Sequence, residues 1–84
     1  MSAEPARQLA ARLTSIDRHL TDGDPQDAGV DERVAYYEAR VDEGIAAMVN
    51  PGDDPQRRAW AADMASEALY RAMLLRRELG QDER

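Results

Sequence analysis

Residues 30–49 read VDERVAYYEARVDEGIAAMV. Within them Val30, Val34, Tyr37, Val41, Gly44 and Met48 recur at spacings of 4, 3, 4, 3 and 4, with Ile45 beside them. That rhythm places them on one face of an α-helix and is the seam pattern of closely packed helices. In a helix interior Gly44 costs about 1 kcal/mol against alanine. On the seam it lets a neighbouring helix approach closely. The stretch therefore predicts an all-α fold with this helix packed along another.

On its N-terminal side, Thr21-Asp22-Gly23-Asp24-Pro25 reads as a break. Gly23 suits a left-handed helix cap. Asp24 is placed to accept bonds from the next helix's free N–H groups, with Pro25 at the first helical position. The central helix is thus expected over about 25–49. On the other side Asn50-Pro51-Gly52-Asp53 reads as a short turn, and Asp54-Pro55 repeats the capping arrangement. A glutamine follows each pair, Gln26 and Gln56. The third helix is expected over 55–79, with Gly80 as its stop and a frayed tail over 80–84. The first helix is expected over 5–20, where Leu9, Leu13, Ile16 and Leu20 form one stripe and Pro5 sits in the first turn.

These elements predict a three-helix bundle dominated by a long antiparallel hairpin of helices 2 and 3. In helix 3, Ala61, Met64, Ala65, Ala68, Ala72, Leu75 and Leu79 make an alanine-rich face, which Leu69 and Met73 widen. Trp60, Tyr70 and Leu74 fall on another side, and Tyr36 lies away from the Val30–Met48 stripe. Aromatic residues interleaved with arginines suit protein–protein contacts. Trp60, Tyr70, Leu74 and Tyr36 are therefore the candidate interface. The plainer account is that helix 1 folds over this side and makes it core.

The chain has 84 residues, enough for one small helical domain over 1–84. It has no cysteine, so it has no disulfide frame and no thiolate ligand or nucleophile. No apolar run approaches the ~18 residues of a membrane span. Met1-Ser2-Ala3-Glu4-Pro5 lacks the basic flank and apolar stretch of a signal peptide. A cytoplasmic protein is expected. All 11 basic residues are arginine, which together with the alanine content points to a high-GC bacterial genome. Small domains are marginal, and alanine adds little burial. Without a disulfide the remedy expected here is self-association, and a homodimer is the predicted state.

The net charge is −6. From Asp17 to Asp54 there are eleven acidic residues and three arginines, a local net of −8. Asp22, Asp24, Asp27, Asp31 and Glu32 make an acidic surface that would face a basic partner protein and repel nucleic acid. The alternative is ordinary solvation and helix capping. Read as a calcium loop from Asp22, the segment places Asp27 where glycine is needed and Arg33 where glutamate is needed, so the match fails.

Glu38 with Asp42, and Asp63 with Glu67, are i,i+4 carboxylate pairs that an antiparallel hairpin brings to similar heights. Facing each other they would hold a metal, but Asp63 and Glu67 lie opposite the alanine face, and no Glu-x-x-His accompanies them. Pairing with arginine is the simpler account. His19, the single histidine, has no serine or carboxylate at a spacing that would make it a general base. No cofactor or metal is expected. The sequence predicts a small acidic, non-catalytic protein that acts by protein–protein binding, through self-association or regulation of a partner. Two alternatives stand beside it. One is an acidic, nucleic-acid-mimicking inhibitor of a basic protein. The other is a helical bundle with a carboxylate metal site.

Overall fold

A computed structural model describes residues 4–49 and 54–82. Among these the chain forms three helices and no strand: α1 (Glu4–Gly23), α2 (Val30–Met48) and α3 (Pro55–Asp82). At 1.5 Å per residue, α3 is about 42 Å long and α2 about 28 Å. They run antiparallel, as Gly44 lies against Ala61 and Ala65 while Glu38 pairs with Arg76 further along α3. The predicted long hairpin is the main architectural unit, and the molecule measures 51 × 30 × 20 Å.

The core is narrow. Its buried residues are Ile16 and Leu20 from α1, Val34 and Tyr37 from α2, and Met64, Ala68, Ala72 and Leu75 from α3. Val30, Tyr36, Val41 and Trp60 pack against it half-buried. Ala61 and Ala65 extend the alanine stripe toward the other end of the hairpin. Small side chains let α2 and α3 approach closely, so only a narrow arc of α3 faces its partner.

That narrowness corrects the expected placement of Leu69 and Met73. The pattern places both on a widened core face, and both are exposed. Each follows a buried alanine, Ala68 or Ala72, so the helix turns it about 100° out of the contact arc.

α1 crosses the hairpin and touches it from Arg12 onward. Arg12 bonds Asp63, the Trp60 indole donates to Ser15, and the Tyr36 hydroxyl donates to the Leu20 carbonyl. The Leu9–Leu20 stripe is real but half covered. Ile16 and Leu20 are buried, whereas Leu9 and Leu13 are exposed.

Helix ends depart from expectation in instructive ways. Asp54-Pro55 starts α3 as read: the Asp54 carboxylate accepts the Gln56 N–H at 2.9 Å. Asp24-Pro25 starts no helix. Residues 24–29 form a loop closed by the Ala28 N–H on the Pro25 carbonyl, and α2 begins five residues later, after Gly29. The Asp24 carboxylate is occupied elsewhere, as described below. Gly23 ends α1 without a left-handed backbone. Gly80 does not stop α3, which continues to Asp82. The expected turn at Asn50–Asp53 and the last two residues of the expected tail lie outside the described residues.

Candidate interaction surface

The four predicted interface residues fall into two pairs. Trp60 and Tyr36 are half-buried beneath α1. The Trp60 Nε1 donates to Ser15 Oγ at 3.2 Å, and its ring meets the His19 imidazole edge-on at 5.3 Å. Tyr36 stands edge-on to Tyr37, with the Arg40 guanidinium over its ring. Burial pushes its hydroxyl above the ordinary tyrosine range. This side is where helix 1 was expected to fold if the cluster were core.

Tyr70 and Leu74 are 56% and 42% exposed. Leu69 and Met73 join them at 50% and 54%. The four residues are linked by i,i+4 and i,i+3 spacings, so they form one continuous apolar surface over two turns of α3. No other described element covers it. Around them on α3 lie Ala62, Ser66 and Arg77, and the bordering acids Asp63 and Glu67 are paired with Arg12 and Arg71. Nearby, Arg12 ties α1 to Asp63, two turns before Tyr70 on the same flank of α3. The uncovered Leu9 and Leu13 flank that tie on α1. Leu69 and Met73 were legible as large apolar residues, but their outward direction depended on how narrow the core arc is.

The acidic surface is reduced by one member. Asp22, Asp27, Asp31 and Glu32 are exposed. The Asp24 side chain is 4% exposed and turns inward. It accepts two bonds from Arg33, Nε to Oδ1 at 2.9 Å and Nη2 to Oδ2 at 2.8 Å. The Tyr37 hydroxyl donates a third, at 2.6 Å. The Arg33 bonds hold the Asp24 carboxyl below the usual carboxylate range, against the opposing effect of burial. Burial, reinforced by the bond to Asp24, raises the Tyr37 hydroxyl. This arrangement fixes the loop between α1 and α2 onto the face of α2.

Arg71 joins all three helices. It bonds Asp17 at 2.7 Å and Thr21 at 3.3 Å on α1, bonds Glu67 at 3.0 Å on its own helix, and lies over the Tyr37 ring of α2. Its role was not apparent from sequence, because the partners on α1 lie fifty or more positions away.

The carboxylate pairs do not converge. Asp63 is taken by Arg12, Glu67 by Arg71 and Glu38 by Arg76. Among the described residues no group of three metal-ligating side chains comes together. His19 lies with its Nε2 3.9 Å from the Glu43 carboxylate, beyond hydrogen-bond reach. No described helix is long and apolar enough to cross a membrane. Comparison with protein families, with characterised proteins and with solved structures finds no match to this chain.

Proposed function

We propose that the chain is a small acidic, non-catalytic helical protein that acts by protein–protein binding through the outward face of α3. The observation that carries this reading is the continuous exposure of Leu69, Tyr70, Met73 and Leu74 on one side of α3. Uncovered apolar patches of this kind mark interaction sites, and an aromatic residue at their centre supplies the anchor. The disposition of the titratable groups supports it as well. Asp24, Glu38, Asp63 and Glu67 each pair with an arginine, which gives all four a structural role.

Affinity capture from an extract of the organism that encodes the chain tests the reading. Wild-type protein is compared with the Leu69→Glu, Met73→Glu double variant, with helicity checked by circular dichroism. A protein retained by wild type and lost from the folded variant, another copy of the chain included, supports the reading. Equal retention by both overturns it.

The acidic-mimic reading keeps the exposed Asp22, Asp27, Asp31 and Glu32, which have no ion-pair partner among the described residues. It loses Asp24, whose charge is spent internally on Arg33. The carboxylate metal reading has no converging ligand set to support it among the described residues.

A further inference from the structure

We infer that the outward face of α3 takes a second copy of this chain, with the two α3 helices antiparallel across a two-fold axis between Tyr70 and Met73. This rests on the reading of that face as a protein-binding surface.

The first argument is area. The folded chain exposes 6138 Å². A compact monomer of its mass, 9.4 kDa, exposes about 5,000 Å². The surplus of roughly 1,100 Å² belongs to the whole elongated molecule and is of the order of the ~800 Å² that each partner gives to a standard interface. The radius of gyration agrees: it is 14.8 Å, against about 12 Å for a compact chain of this length. An elongated hairpin with an uncovered apolar flank has the surface a dimer needs.

The second argument is charge. The chain carries −6, so two copies meeting on arbitrary faces repel. The outward strip of α3 through Ala62, Ser66, Leu69, Tyr70, Met73 and Arg77 is bordered by Asp63 and Glu67, and each of these carboxylates is paired within its own molecule, with Arg12 and Arg71. With these bordering acids neutralised internally, the strip lets two acidic molecules approach with less repulsion than their other faces.

The third argument is self-complementarity, which a two-fold interface requires. An antiparallel pairing centred between Tyr70 and Met73 brings Tyr70 level with the partner's Met73 at the centre, with Leu69 and Leu74 at the two edges of the contact. It also brings Arg77, which has no ion-pair partner among the described residues, to the partner's Ser66. That position is one turn from the partner's Asp63 and next in sequence to its Glu67. A parallel pairing would instead stack Arg77 on the partner's Arg77. The single basic end of the strip thus selects the antiparallel arrangement.

Sedimentation equilibrium of the full chain, together with spin-label distances, tests the inference. The chain has no cysteine, so Arg58→Cys places one label on each copy. Positions 58 of an antiparallel pair lie 27 residues apart along the axis, which predicts about 40 Å at 1.5 Å per residue. A parallel pair would hold them about 10 Å apart, the distance between packed helix axes. Met73→Glu, at an exposed helical position, should leave helicity unchanged and weaken the dimer about tenfold or more. A dimer that weakens in this way and shows the long distance is the expected result. A monomeric wild type, a dimer indifferent to Met73→Glu, or a short label distance overturns the inference. If wild type is monomeric while capture from extract still depends on Leu69 and Met73, the face binds a different protein. In that case the second copy is excluded but the binding reading stands.

Discussion

Gly44 and Ala65 meet so closely that a Cβ built on Gly44 would stand 2.7 Å from the Cβ of Ala65. The Ala61 carbonyl oxygen would lie at the same 2.7 Å. A side-chain tip can move aside, but a helix carbonyl does so only if the backbone shifts. Alanine at position 44 would gain about 1 kcal/mol in helix propensity. Overpacking of a tight contact typically costs about 1–3 kcal/mol. Gly44→Ala is therefore expected to lower stability on balance and to reduce the thermal midpoint. Circular dichroism melting of the two proteins checks this, and a raised midpoint would contradict the close approach of α2 and α3.

Asp24 gives the fold a dependence on acid. Bonds from Arg33 and Tyr37 favour its ionised form, and its folded pKa lies below the unfolded value. Such a group contributes stability that is fully present above its unfolded pKa, about 3.9 for aspartate. The contribution is lost as pH falls through the folded pKa. Removing a charged hydrogen-bond partner here should cost about 1.5–3 kcal/mol at neutral pH. In urea denaturation, wild type and Asp24→Asn should differ by that amount at pH 7 and converge as pH drops below 4. A difference that stays constant to pH 2.5 would show that the charge of Asp24 is not responsible.

Arg71 fixes α1 to the hairpin through Asp17 and Thr21. Asp17 is largely exposed, so that ion pair alone is weak. The consequence of Arg71→Ala should be local. Amide exchange over the second half of α1 should quicken, because Ile16 and Leu20 depend on this docking. Exchange in the Val34–Val41 and Ala61–Ala72 segments should change little. Hydrogen exchange read by mass spectrometry distinguishes this from uniform acceleration, which would mean that α1 is integral to hairpin stability.

The hairpin was legible in sequence because its signal is periodic. The Val30–Met48 seam and the alanine face of helix 3 each repeat over several turns, and both describe real contacts. The helix starts were harder. Asp24-Pro25-Gln26 and Asp54-Pro55-Gln56 look alike, yet only the second caps a helix. The difference lies in Arg33 and Tyr37, nine and thirteen residues further on, which capture the Asp24 carboxylate once α2 has formed. Local chemistry permitted both outcomes, and a tertiary contact decided between them. The same holds for the aromatic cluster. A helical wheel places Trp60 and Tyr70 off the alanine face, but the crossing of α1 determines which of them is covered.

That division separates two residues the sequence had grouped. Trp60 packs beneath α1, against His19 and Ser15, so its truncation removes contacts within one molecule. Full burial of a large aromatic is worth about 3–5 kcal/mol, and Trp60 is half-buried, so Trp60→Ala should cost roughly 2 kcal/mol of folding stability. Tyr70 has no hydrogen-bond partner among the described residues and projects from the uncovered face. Tyr70→Ala should leave the folding midpoint within about 0.5 kcal/mol of wild type when measured at dilution, as surface substitutions do. At high concentration it should weaken association, because an aromatic at the centre of an apolar face is the residue type that anchors interfaces. Melting and sedimentation of both variants across a concentration series read the two effects separately. Trp60→Ala should shift the melt at every concentration, and Tyr70→Ala should shift it only where wild type is associated. The reverse pattern would place the contact surface on the Trp60 side and make the outward face of α3 ordinary solvent-exposed helix.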